Sequence, residues 1–147
     1  MRGYFGIGIY HTKTEENVGT LWRSAHNFGA AFIFTINRRY RSQCSDTIKT
    51  WQKIPLYHYE SYDDFSEHIP FDCRLIAIEQ SDTSKNVAGF SHPERAIYLL
   101  GAEDHGIPVS IQQKCQGIIH IDTPMCLNVA TAGSIIMYDR SVKGRVL

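Results

Sequence analysis

The chain has no net charge: fifteen Lys and Arg balance fifteen Asp and Glu. That excludes a uniformly basic nucleic-acid coat and an acidic solvating tail. No apolar run approaches the ~18 residues of a membrane span, so no membrane partner is expected. Residues 1–7 lack the charged stretch and long apolar core of a secretory signal, so a cytoplasmic protein is expected. Four cysteines, Cys44, Cys73, Cys115 and Cys126, form no C-x-x-C pair and no zinc spacing. In a reducing compartment disulfides are not expected either. Seven histidines include no H-x-x-x-H, and no metal site is expected. Neither G-x-G-x-x-G nor a Walker-type G-K-[ST] is present, which counts against a nucleotide-binding enzyme of doubly wound type.

What is present describes a globular domain. At 147 residues, 43% apolar and 20% charged, the chain reads as a single domain over 1–147 with a core of its own. Near-continuous apolar segments at residues 5–10, 31–36, 75–79, 96–100 and 117–121 read as strands covered on both faces. Between the first two, Val18, Leu21, Trp22, Ala25 and Phe28 make one apolar helical stripe. Asn17 is its expected N-cap and Gly29 its expected stop. Residues 61–68 and 108–115 read as short helices. Residues 127–139 read as a last helix, apolar almost all round and therefore expected to be buried. Strand–helix alternation predicts an α/β fold with a largely parallel sheet flanked by helices.

Charge is unevenly spread. Residues 37–53 carry Arg38, Arg39, Arg41, Lys49 and Lys53 against Asp46 alone, whereas residues 58–72 carry five acids and no Lys or Arg. The basic stretch follows the second strand directly, and open α/β sheets bind ligands beyond the carboxyl ends of their strands. Tyr40 and Trp51 lie among the arginines, and bases stack on aromatic and guanidinium planes. A solvated loop fits the same residues.

Three segments can carry chemistry. In the first, 17–30, Arg23 lies off the apolar stripe, where its fork of donors can hold an anion or a hydroxyl. An ordinary surface arginine has the same pattern. In the second, 99–108, Gly101 follows a strand and leaves room for a ligand against the backbone. Gly106 closes the loop, and Glu103 at its tip can accept hydrogen bonds from a substrate. A solvated turn reads alike. In the third, 121–134, Pro124 sets a rigid turn before a helix, and Asn128 needs a partner in an apolar context, or serves as a cap. Cys126 as a covalent nucleophile has no base or oxyanion arrangement visible around it.

Taken in order, N-x-G-x-x-x-R with F-G, L-G-x-E-x-x-G, and a proline turn before L-N-V-A-x-A resemble the three signature motifs of the SpoU/TrmH class of SPOUT RNA methyltransferases. The resemblance runs from Asn17 to about Tyr138. It implies a C-terminal trefoil knot, one of the few exceptions to the rule against knots. It also implies a homodimer, S-adenosylmethionine as cofactor, and methyl transfer to a ribose 2′-hydroxyl of tRNA or rRNA. It assigns catalysis to Arg23, Asn17, Glu103 and Asn128, and cofactor contacts to Ile78, Gly101, Ile121 and Leu127. RNA contacts are expected from Arg38, Arg39 and Arg41. Many members carry Ser-Leu-Asn-Val-Ser where this chain has Cys126-Leu127-Asn128-Val129-Ala130. The alternative reading is a non-catalytic RNA-binding or assembly protein that keeps the knotted fold.

Overall fold

The computed structural model describes residues 3–38 and 53–144. Its strands are β1 (Tyr4–Tyr10), β2 (Phe32–Ile36), β3 (Leu56–Tyr59), β4 (Arg74–Ile78), β5 (Lys85–Asn86), β6 (Arg95–Leu100) and β7 (Gly117–His120). They form one sheet in the order β3-β2-β1-β6-β4-β7-β5. Every pairing is parallel. The helices are α1 (Glu15–Asn27), α2 (Tyr62–Glu67), α3 (Val109–Gln112) and α4 (Val129–Lys143). The α/β fold with a parallel sheet is as expected, and all five expected strands form. β3 and β5 were not anticipated.

The sheet separates two apolar layers by strand alternation. Phe5, Ile7, Ile9, Ile33, Ile76, Tyr98, Leu100 and Ile119 face α1 and α4. Phe32, Phe34, Ile36, Leu75, Ala77, Ile97 and Leu99 pack with Phe65 of α2 and Ile111 of α3. Within β1 the second face is glycine because Gly6 and Gly8 lie opposite Phe32 and Phe34 in register. A side chain at either glycine would collide with those rings.

Expected helix boundaries move, and α3 stops at Gln112, short of the expected 115. The N-cap of α1 is Thr14, three residues before Asn17. Glu15 and Glu16 fill the first turn, where carboxylates complement the helix dipole. Asn17 is thus inside the helix, and its side chain is released from capping. At the other end Gly29 stands just past the helix with φ +81°. The last helix runs on to Lys143 and is buried along one side only; Tyr138 is 59% exposed.

Far from the carboxyl edge, α4 is fastened by a buried polar cluster. His92 Nε2 donates to Asp139 Oδ2 at 2.7 Å, so its Nδ1 accepts from the Tyr98 hydroxyl at 2.7 Å. Arg140 donates to that hydroxyl at 3.1 Å and to the carbonyls of Pro93 and Glu94 at 2.6 and 2.8 Å. Burial pushes the Tyr98 phenol up, which keeps its donor proton. Burial likewise lowers the His92 pKa, with the Asp139 carboxylate opposing.

This cluster makes stability pH-dependent. Unfolding returns His92 to a pKa near ~6.5, above its folded value. The unfolded state therefore takes up the proton first as pH falls, and His92 subtracts stability below about pH 6.5. Urea midpoints measured from pH 8 to 5 should fall with acid more steeply in the wild type than in His92→Gln. Parallel slopes would contradict the wiring.

Candidate active site at the carboxyl edge of the sheet

Because all strands run parallel, the loops after β1, β4, β6 and β7 collect at one edge. The order reverses between β1 and the β6-β4 pair, and such switch points open a crevice for ligands. Two adjoining cavities lie beside it, over the ends of β4, β6 and β7, of about 370 and 460 Å³. Ile78, Glu79, Gln80, Cys126, Leu127 and Ala132 line both. Ile121 lines the smaller and Gly101 the larger. Thus Ile78, Gly101, Ile121 and Leu127, expected at one ligand, all border one crevice.

Three of the four expected catalytic residues are joined by hydrogen bonds at its rim. Asn17 Nδ2 donates to Glu103 Oε1 at 2.5 Å. Asn128 Nδ2 donates to Asn17 Oδ1 at 2.9 Å. Asn128 Oδ1 in turn accepts from Thr131 N at 3.1 Å. Asn128 is therefore both a helix cap and a partner: its two ends do the two jobs. Asn17 is buried, and it spends its donor on one loop and its acceptor on another. The Lys13 amide lies 3.4 Å from Glu103 Oε2, and Lys13 Nζ pairs with Asp104. That pairing lowers the Asp104 pKa, the hydrogen bond from Lys13 being the main cause.

Arg23 is not part of this relay. It is exposed on α1 and makes no hydrogen bond or ion pair among the described residues. Six positions from Asn17, it sits on a different side of the helix. Ser24 instead shares the Asn17 side and pairs with Ser134 of α4 at 2.9 Å. Arg38 is exposed directly after β2. Arg39 and Arg41, like Tyr40 and Trp51, lie outside the described residues.

The second loop gives Gly101 a packing role of its own. A Cβ on Gly101 would stand 2.5 Å from the Gly106 carbonyl carbon and 2.7 Å from Ile107 N. The glycine admits the returning limb of its own loop. Gly106 N closes the loop on Ala102 O at 3.0 Å, and Gly106 takes φ +62°, which side chains other than glycine resist. Sequence reading also passed over Glu79, which lines both cavities. It stands outside all three motifs, and only its place one residue past a strand end could have signalled it.

No group of three His, Cys, Asp or Glu is placed to hold a metal among the described residues. Burial pushes the Cys115 thiol up to about 11, so it is not a thiolate at neutral pH. No helix among the described residues is long and apolar enough to cross a membrane.

The chain belongs to the SpoU rRNA methylase family, whose model matches residues 5–138. A mouse (Mus musculus) protein, tRNA (guanosine(18)-2′-O)-methyltransferase TARBP1, is 24% identical over 132 residues. That match covers 84% of this chain but only 8% of the mouse protein. Among solved structures, an AdoMet-bound rRNA methyltransferase from Sinorhizobium meliloti superposes with TM-score 0.84 at 18% identity, over 99% of this chain and 59% of its own. A TrmH/SpoU tRNA modifying enzyme from A. aeolicus gives 0.83 at 16% identity, over 95% and 74%. A structure solved for insight into 2-OH methylation of C/U34 on tRNA gives 0.81 at 21% identity, over 99% and 100%. These likenesses show a shared fold.

The relay predicts coupling. Glu103→Ala strands the buried Asn17 donor, a loss that cannot recur once Asn17 is alanine, so the double variant should cost less than the sum. The expected coupling by urea unfolding is about 1 kcal/mol. Arg23→Ala should change stability by under about 0.5 kcal/mol.

Proposed function

We propose that the chain is a methyltransferase that uses S-adenosylmethionine to methylate a ribose 2′-hydroxyl of tRNA or rRNA. The observation that carries this reading is the Asn17–Glu103–Asn128 relay at the rim of the paired cavities. Family membership supports the reaction class. The proposal includes one domain over 1–147, a knotted C-terminal part and a cytoplasmic location.

The crevice suits the cofactor chemically. Its volume falls in the usual range of about 300–1,000 Å³ for small-molecule sites. Ile78, Ile121, Leu127 and Ala132 offer apolar walls for a base, while Glu103 offers a carboxylate toward cationic groups. When bound, S-adenosylmethionine would supply an electrophilic methyl on a sulfonium. The protein's task is then chiefly positioning, worth up to ~7–11 kcal/mol for in-line geometry. Ile78, Gly101, Ile121 and Leu127 would hold the cofactor. Asn17 and Asn128 would hold Glu103 and the third loop in register.

Arg23 would orient the ribose hydroxyl and stabilise its developing negative charge. It is not a general base, since guanidinium stays protonated below a pKa of about 12. In this reading the active form is a homodimer, and Arg23 reaches the crevice of a second copy. Its exposure, and its separation from the relay in its own chain, support that. So does the half-exposed apolar surface of α1 and α4, where Phe28 and Tyr138 meet at 6.3 Å between ring centroids. Arg38, Arg39 and Arg41 would bind RNA phosphates.

The exposed Cys126 and buried Ala130, where many members carry serines, favour a second reading: an RNA-binding or assembly protein without catalysis. One experiment separates the two. Purified protein, tritiated cofactor and total tRNA or rRNA should yield labelled RNA. Arg23→Ala should lower turnover by about 100-fold or more and leave cofactor affinity largely intact. No cofactor binding by calorimetry and no label would favour the second reading.

A further inference from the structure

We infer that Glu79, which lies in none of the three motifs, is a positioning residue that pins the second loop and so sets Glu103 over the crevice. The inference rests on the methyl-transfer reading for its consequence and on geometry for its content. Glu79 is the first residue past β4. Its own amide still donates to Ile119 O of β7 at 2.9 Å, so its backbone is held by the sheet. Its Oε2 accepts from Ile107 N at 2.8 Å. Ile107 is buried, at 2% exposure, and this amide has no water to fall back on. Its carbonyl is held from the other side by Gln112 Nε2 at 2.7 Å. Ile107 is thus clamped at both polar atoms by side chains that line the larger cavity.

Gly106 closes the argument. A Cβ there would be driven into the Glu79 carboxylate. The glycine therefore answers two demands at once: the positive φ of the turn and the carboxylate packed beneath it. The loop pinned at Ile107 has Glu103 at its tip, and Glu103 is bonded to Asn17. A continuous path runs from the sheet through Glu79, Ile107 and the loop to the relay. An unpaired Ile107 amide is costly in a buried setting, so loss of the acceptor should loosen the loop and not the sheet.

Two substitutions separate the acceptor from the charge. Glu79→Gln keeps an oxygen for Ile107 N; Glu79→Ala removes it. By calorimetry with S-adenosylmethionine, Glu79→Ala should bind about tenfold more weakly, and Glu79→Gln within about threefold of wild type. Amide exchange at Ile107 should accelerate in Glu79→Ala and stay near wild type in Glu79→Gln, with β1 unchanged in both. Should Glu79→Ala fail to fold, Gly106→Ala, which displaces the same carboxylate, should reproduce the weaker binding and faster exchange. Wild-type affinity and exchange in Glu79→Ala would overturn the inference, as would Glu79→Gln behaving like Glu79→Ala. If the wild type itself bound no cofactor, the methyl-transfer reading would fall, while exchange at Ile107 would still decide the pin.

Discussion

The site depends on one buried amide. Asn17 faces two loops that are far from it in sequence and satisfies one with its donor and the other with its acceptor. A hydroxyl could not span both at that reach, and a carboxylate would offer no donor to Glu103. An aspartate at this position would also set like charges together. The pairing demands that α1 begin early enough for residue 17 to be helical and buried. The two glutamates ahead of it supply that start. A choice of residues at the helix terminus thus decides whether the crevice has a rim.

The sheet then decides where the rim can be. Parallel pairing brings four loops to one edge, and those after β4, β6 and β7 wall the crevice. Alternation along β1 sends isoleucines to the α1–α4 layer and leaves glycine beneath the Phe32 and Phe34 rings. α4 is held at both ends: by Asn128 at the site and by the His92–Asp139 and Arg140 contacts at the opposite edge. Gly133, tight against Leu21 and Leu100, lets α4 lie close to α1 and the sheet between those ends.

Much of this was legible in the residues. Isoleucine-rich runs marked five strands because strands buried on both faces have little room for polar residues. β3 escaped notice because Leu56-Tyr57-His58-Tyr59 is a half-exposed edge strand behind a proline, and β5 because it is two polar residues long. Asn17 looked like a cap because asparagine before an apolar stripe usually is one. Its true partners lie 86 and 111 residues away, a distance no local pattern encodes. Gly101 and Glu103 stand out as motif positions, but the packing of Gly101 against Gly106 and Ile107 depends on how the loop closes. Glu79 and the buried Arg140 were invisible because each takes its meaning from a tertiary contact. Arg23 was located correctly on α1, yet its separation from the relay required coordinates.

The central claim is that the segments around Asn17, Glu103 and Asn128 form one ligand site. Amide hydrogen exchange with and without S-adenosylmethionine tests it most directly. Protection should rise together at residues 12–18, 101–107 and 121–131 and stay constant at residues 92–95, which lead into β6 on the opposite edge. Protection confined to one of the three segments, or centred on residues 92–95, would contradict it.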